Sequence, residues 1–393
     1  MMRNITVGID IGTHQVKVVV AEFVKENNKQ TGHILGTGVA ESKGLRHGYI
    51  VNNEDVIDSI KTAVRLAEKT SGIKIRKAFV SIGGIGLATM TGSASVVIGR
   101  ADLQITDLDI KKLNELCEES LPSNLIQNYR ILHSIPVQYK IDGKIVLAKN
   151  PIDMKGTKLE VKMLFITCLE PHLNSLLEAV DEAGIEIVDC LASPIAASFV
   201  TLSKSQKMAG CVLANIGAET ISIVVFENNI PISLEVFPIG STDITNDIAL
   251  GLKIPLEEAE NIKVGSIGPG SFSKKKIEEI VSARLYDVFE LIENHLKKIG
   301  RNELLPAGIF IAGGGGSIAG IEDFAKINLK LPSRIASINL SDKKNDFKDS
   351  IFAVAYGLCM LGSSKEEKIN LGLRNTINKA GGKISEWIKQ FLP

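Results

Sequence analysis

Residues 5–9 (ITVGI) and 16–23 (VKVVVAEF) are β-branched runs joined by a tight polar turn at Gly12, the pattern of a β-hairpin. Residues 212–226 (VLANIGAETISIVVF) repeat the design: an apolar strand, a polar residue (Asp10 in the first copy, Asn215 in the second), Ile-Gly, a polar stretch with a threonine, and a second apolar strand. A design used twice implies two related domains facing each other across a cleft. Residues 54–71 carry apolar positions at helical spacing behind an Asn-Asn start, and residues 171–184 and 274–299 keep the same spacing. Residues 192–202 (ASPIAASFVTL) and 350–361 (SIFAVAYGLCML) are small and apolar enough to cross close to another backbone, so these two helices are expected to join the domains at a hinge.

Between residues 83 and 162 the character changes to short strands, a charged helix near 107–120 and a hairpin-like YKIDGKIVLAKNP. A stretch of about 80 residues is close to the smallest that builds its own core. The expected organisation is α/β: a first domain over residues 1–82 and 163–200, an inserted subdomain over 83–162, and a second domain over 201–361 with an outer part near 243–305. A polar linker over 362–382, ending in Gly-Gly, precedes a terminal helix over 383–393.

Composition narrows the partners. The 393 residues hold 45 Lys plus Arg and 45 Asp plus Glu, so no overall field draws the chain to nucleic acid. Five scattered cysteines without CxxC spacing read as buried thiols of a reducing cytoplasm. The N-terminal residues run straight into a strand pattern without the features of a signal peptide. No apolar stretch reaches the roughly 18 residues of a spanning helix, so membrane contact is expected to be peripheral.

Three segments carry the candidate chemistry. In GIDIGTHQVKVVV the turn at Gly12, Thr13 and His14 points successive backbone N–H groups into one concavity, an anion nest suited to a polyphosphate. Lys17 adds a point charge, and the carboxylate of Asp10 suits a Mg²⁺ ion held through water. In ANIGAETISIVVF, Asn215, Gly217, Ala218, Glu219 and Thr220 repeat the turn, and a second nest facing the first clamps phosphates from both sides. In GIFIAGGGGSIAGIEDFAK an apolar strand ends in Gly313, Gly314, Gly315 and Gly316, where backbone free of side chains permits close approach of a nucleoside or phosphate. Gly240, in PIGS, completes the glycines assigned to the nucleotide. There is no GxGxxG opening a helix after the first strand and no GxxxxGK[ST], which speaks against hydride chemistry and a P-loop.

In this order, the two hairpins, the glycine strand-end and the two small-residue helices resemble the phosphate, adenosine and connecting motifs of the actin, sugar-kinase and heat-shock-chaperone ATPases. Within that superfamily the chain resembles the FtsA family of bacterial cell-division proteins from end to end. The segments that carry this are KGLRHGYIVNNEDVIDSIKTAV, PVQYKIDGKIVLAKNPIDMKGTKLEVK, PIGSTDITNDIALGL, EEAENIKVGSIG and the terminal helix. The resemblance implies an actin-like two-domain fold of duplicated mixed sheets around a nucleotide cleft, with the usual outer subdomain of the first half replaced by the relocated module. It implies ATP and Mg²⁺ in the cleft and filaments on the cytoplasmic face of the cell membrane at the division site. It also implies tethering of FtsZ, the tubulin-like ring protein, and recruitment of later division proteins through the insert. Glu260 and Lys263 of AENIK are placed near the adenine by the same resemblance; by themselves they also read as a solvated i to i+3 pair.

The departures from that pattern concern catalysis. Asn215 stands where the superfamily usually has aspartate, and Ser193-Pro194 where chaperone relatives have a glutamate before proline. Asparagine lacks the charge that orients hydrated Mg²⁺, and an unactivated serine is no general base at neutral pH. Hydrolysis is therefore expected to be slow or absent, and no catalytic residue is assigned.

Residues 383–392 (KISEWIKQFL) place Ile384, Trp387, Ile388, Phe391 and Leu392 on one helical face, opposite Lys383, Glu386, Lys389 and Gln390. An interfacial helix carries tryptophan at this depth, and the expectation is a membrane-targeting tail. The same pattern serves a helix docked on its own body or laid in a partner groove. Two rival functions share the clasp: a small-molecule kinase, which needs a catalytic aspartate, and a scaffold of pilus or secretion machinery, which needs no terminal amphipathic helix.

Overall fold

The structure is a computed structural model and describes residues 4–26, 29–122, 127–147, 150–266, 272–338 and 350–370. Its first half opens with an antiparallel meander, β1 (Asn4–Ile11), β2 (Gln15–Glu26) and β3 (Lys29–Glu41), in which the alternating apolar residues of the sequence pair strand to strand. A short hairpin, β4 (Leu45–Arg46) with β5 (Tyr49–Ile50), leads into α1 (Asn53–Ser71), capped by the side chain of Asn52 and ended at Gly72. Strand β6 (Lys77–Ile82) then lies parallel beside β1.

The insert follows: β7 (Leu87–Val97), α2 (Asp107–Glu119), β8 (Tyr129–Ile141), β9 (Lys144–Val146) and β10 (Lys158–Leu169), in the sheet order β7-β10-β8-β9. The chain returns to the first half through α3 (Glu170–Glu182) and β11 (Glu186–Ala192), which adds in parallel to β6, and crosses to the second half along α4 (Ser193–Thr201).

The second half contains α5 (Lys204–Ala209), β12 (Cys211–Ile216), β13 (Ile221–Glu227), β14 (Ile230–Phe237), α6 (Ser241–Leu252), α7 (Leu256–Lys263), α8 (Lys274–Lys298), β15 (Gly308–Ala312), α9 (Ile321–Leu329) and β16 (Ser333–Ile335). A last helix, α10 (Ala353–Asn370), returns to the first half and packs on β1. The two large sheets share one plan. In each, a three-stranded meander is extended by two parallel strands, giving β3-β2-β1-β6-β11 and β14-β13-β12-β15-β16.

The small residues noted in α4 and α10 act where the two helices cross. A Cβ at Gly357 would stand 1.9 Å from the carbonyl oxygen of Ala196, so only glycine permits the approach. Around this crossing one apolar core runs from Ile9, Val18 and Ile82 through Ala196 and Leu358 to Leu213 and Phe226. A second core, with Phe289 and Ile311, fills the rest of the second half, and a third lies under α2 in the insert.

Two boundaries and the burial of one cysteine differ from the sequence expectation. The insert does not end at residue 162, because β10 continues to Leu169 and serves two cores: Leu159, Val161, Met163 and Phe165 face the insert, while Leu164, Ile166 and Cys168 face the main core. The linker does not begin at 362, because α10 runs to Asn370. Cys117, Cys168, Cys211 and Cys359 are buried as expected, while Cys190 is only half-buried. Residues 371–382 and the tail residues Ile384, Trp387, Ile388, Phe391 and Leu392 lie outside the described residues. Among the described residues, no helix is long and apolar enough to cross a membrane.

Candidate functional site

The register of the two meanders builds the cleft. Asp10 lies opposite Lys17 in the first, and Asn215 opposite Ser222 in the second. The turns close alike, Gly12 N donating to Gln15 O at 3.1 Å and Gly217 N to Thr220 O at 2.9 Å. Between them lies a cavity of about 160 Å³, lined by Asp10, Gly12, Thr13, His14 and Lys17 from one side and by Asn215, Gly217, Ala218, Thr220, Gly313 and Gly314 from the other. Ile351 and Val354, around the start of α10, provide an apolar part of its wall.

Among the described residues lining this cavity, Asp10 carries the only carboxylate and Lys17 the only ammonium. Ser81 Oγ donates to Asp10 Oδ1 at 2.8 Å, while Asp10 Oδ2 is 3.8 Å from Lys17 Nζ. One carboxylate oxygen is thus fixed and the other retains free lone pairs toward the cleft, a donor set that fits a Mg²⁺ ion held through water beside phosphate oxygens. Lys17 is placed to meet those oxygens as a point charge.

The second turn rests on the N-terminus of α6: Ser241 N donates to Gly217 O at 2.9 Å and Thr242 N to Ala218 O at 2.8 Å. The positive end of that helix dipole favours an anion in the cleft. Gly240 does not itself line the cavity but packs under the turn, where a Cβ would stand 2.2 Å from Ala218 O.

A larger cavity of about 570 Å³ lies beside it, between the end of α7, the first turns of α8 and the segment Ile318, Ala319 and Gly320. Its walls are largely apolar, with Ile262, Ile277, Val281, Leu285 and Phe324. Lys263 joins the two spaces. It lines the larger cavity, and its Nζ donates to Ser241 O at 3.1 Å and to Thr245 Oγ1 at 2.9 Å, Ser241 itself lining the smaller one. Glu260 Oε2 lies 2.7 Å from Lys263 Nζ and accepts from Thr245 Oγ1. Burial pushes the Glu260 carboxyl up, but the hydrogen bonds from Lys263 and Thr245, with the charges of Lys263 and of His14, outweigh it and hold the group below the usual range. A small polar slot thus adjoins a larger, mostly apolar pocket.

Other expected residues sit elsewhere. Glu219 turns away from the cavity and reaches the first half, accepting from His47 N at 2.6 Å, because the loop at Arg46 and His47 offers it a cation and a free N–H. Gly315 and Gly316 are buried against Ile216 and Ile311 and support the turn from behind. Conversely, sequence reasoning did not name Gly48, Gly83, Gly84, Ser222 or Ser241, all of which line the cavity. Gly83 and Gly84 follow β6 as Gly313 and Gly314 follow β15, so the duplicated plan was the available signal. His172 Nε2 donates to Gly83 O at 3.1 Å and positions that loop, and burial lowers the pKa of His172 against the opposing effect of this bond. Ser193 completes the wall at the head of α4.

A search of known proteins found "Cell division protein FtsA" of Bacillus subtilis (strain 168) 31% identical over 359 residues, covering 86% of this chain and 79% of that protein. The chain belongs to the FtsA family. "Cell division protein FtsA" of Borreliella burgdorferi is 29% identical, over 99% of this chain and 98% of that protein. The family model "Cell division protein FtsA" matches residues 212–357, and "SHS2 domain inserted in FTSA" matches residues 85–167, close to the end of β10.

Solved structures show the fold to be actin-like. A chain of a PilM–PilN type IV pilus biogenesis complex superposes with a TM-score of 0.67 at 18% identity, over 91% of this chain and 98% of that one. MreB5 of Spiroplasma citri bound to ADP superposes with a TM-score of 0.53 at 12% identity, over 93% and 98%. The family membership makes this an actin-like cell-division protein.

Proposed function

We propose that the chain binds ATP with Mg²⁺ between its two halves, assembles into filaments, and tethers FtsZ to the cytoplasmic face of the cell membrane through its C-terminal residues. The observation that carries this reading is the pair of equivalent hairpin turns, with Asp10 and Lys17 on one and the N-terminus of α6 behind the other, set beside an apolar pocket. The triphosphate lies between the turns and the adenine enters the larger cavity beside Lys263. The amphipathic pattern of Ile384, Trp387, Ile388, Phe391 and Leu392 supplies the membrane contact. One short helix holds weakly, whereas a filament presents many at once and binds firmly through effective concentration. The inserted sheet, which has a core of its own under α2, is the surface offered to later division proteins.

Catalysis by this cleft is slow or absent. Asn215 and Ser193 stand at positions where hydrolytic relatives place carboxylates, and Asp10 remains the only acid in the lining among the described residues. Electron microscopy of the protein on lipid monolayers is expected to show filaments with ATP and none without nucleotide. Filaments of equal abundance in both conditions would refute the coupling, and rapid phosphoryl transfer to a small hydroxylated acceptor would replace it with a kinase reading.

A further inference from the structure

The mouth of the cleft carries a bridge that the phosphate clasp does not require. The loop before β5 belongs to the first half, and Glu219 to the second hairpin turn. Glu219 Oε2 accepts from His47 N at 2.6 Å, Glu219 Oε1 lies 3.4 Å from Arg46 Nη1, and the backbone carbonyl of Glu219 accepts from His47 Nδ1 at 3.1 Å. The Glu219 side chain is only 15% exposed, while that of Arg46 is 70% exposed. One turn residue is therefore tied to the opposite half by both its side chain and its backbone.

The position of the bridge gives it leverage. The halves are joined covalently and by packing at the crossing of α4 and α10, and β14 of the second half also meets β7 of the insert. The bridge lies on the other side of the phosphate space: Gly48, next to His47, and Ala218 and Thr220, flanking Glu219, all line it. With the proposed phosphates held between the two turns, separation of the turns loosens the grip on them. Separation breaks the bridge.

We propose that Glu219 is a latch that holds the two halves closed over the nucleotide and so limits the rate of exchange. This rests on the reading of the cleft as an ATP site. Its hydrogen bond from His47 N is charge-assisted and shielded on the Glu219 side, while the ion pair with Arg46 is solvated at the Arg46 end and contributes less. The bond from His47 Nδ1 to the Glu219 carbonyl does not depend on the Glu219 side chain, so a substitution at 219 loosens the latch and a second at His47 completes the release.

The test is stopped-flow exchange on the full chain, loaded with a fluorescent ATP analogue and chased with excess ATP. Glu219→Ala is expected to accelerate release by about ten- to a hundredfold, from the loss of the charge-assisted hydrogen bond to His47 N and the ion pair with Arg46. Glu219→Gln, which keeps the size and one acceptor oxygen, and Arg46→Ala fall between it and the parent, and adding His47→Ala to Glu219→Ala accelerates release further. A latch slows entry as well as exit, so association also quickens in Glu219→Ala. Faster release with unchanged association would instead make Glu219 a direct ligand and overturn the latch. Unchanged release in Glu219→Ala, with the parent binding the analogue normally, would overturn the latch and leave the ATP site standing. A parent chain that binds no analogue would remove both.

Discussion

Asn215 presses its side-chain oxygen against Gly313, so closely that a Cβ at position 313 would stand 2.5 Å from it and 2.4 Å from Ile216 O. Gly313 also has a φ of 84°, a conformation that costs an L side chain about 1 kcal/mol or more. Next to it, Gly314 lines the cleft with nothing within 4 Å of its added Cβ. Gly313→Ala is therefore expected to destabilise the second half by about 2 kcal/mol or more and to displace Asn215. Gly314→Ala should keep the parent's melting temperature while weakening ATP binding through its intrusion on the cavity. Calorimetry of folding and of nucleotide binding on the two variants separates these effects; equal stability of the pair would show that the contact is relaxed.

Lys17 and Asp10 make separable predictions. Lys17→Ala removes the one ammonium that lines the clasp among the described residues and should weaken ATP binding by about ten- to a hundredfold, the range of a charge-assisted contact. Asp10→Asn keeps the acceptor for Ser81 Oγ and loses the charge, so its affinity for ATP should become insensitive to Mg²⁺. Titrations with and without a chelator measure both, and an unchanged Mg²⁺ response in Asp10→Asn would move the ion away from Asp10.

The repeated hairpin was legible because its information is local: apolar alternation, a polar residue and Ile-Gly recur in one short window. Gly83 and Gly84 were not, since a lone Gly-Gly after a strand has no distinguishing neighbours until β6 is seen to occupy the place of β15. The direction of Glu219 depends on Arg46 and His47, distant in the chain, which local pattern does not report. Likewise β10 reads as one apolar run, and only tertiary packing assigns Phe165 to one core and Leu164 to another. The extension of α10 past residue 362 follows from SSKEEKIN, polar yet rich in good helix formers.

Lys207 is 5% exposed and lies between the rings of Phe199 and Phe226, 5.4 and 5.0 Å from their centres. Burial depresses its ammonium from 10.5 to about 7, with Cys211 pulling weakly the other way. Between those values the unfolded chain holds this proton and the folded chain increasingly does not, so this group's contribution to stability rises with pH from about 7 to 10.5. Lys207→Met removes the titration while filling the same space. It is expected to raise stability near neutral pH by on the order of 1 kcal/mol, with the advantage shrinking as the pH approaches 10.5. Melting temperatures across that range decide it; an advantage that does not vary with pH would assign the effect to packing.

For the tail, Trp387→Glu places a charge in the apolar face of residues 383–392 and should abolish co-sedimentation with liposomes while leaving the melting temperature of the body unchanged. Retained lipid binding would locate the membrane contact on another surface.

Thr89 Oγ1, on the edge strand of the inserted sheet, donates to Leu234 O at 2.9 Å, on the edge strand of the second half. Both chain crossings into the insert nonetheless belong to the first half. The insert is thus geared to two bodies, and a rotation of one against the other either shears the seam between β7 and β14 or turns the insert. On the proposed reading of the cleft, its closure over nucleotide and the attitude of the insert are then linked, and such a link would act in both directions.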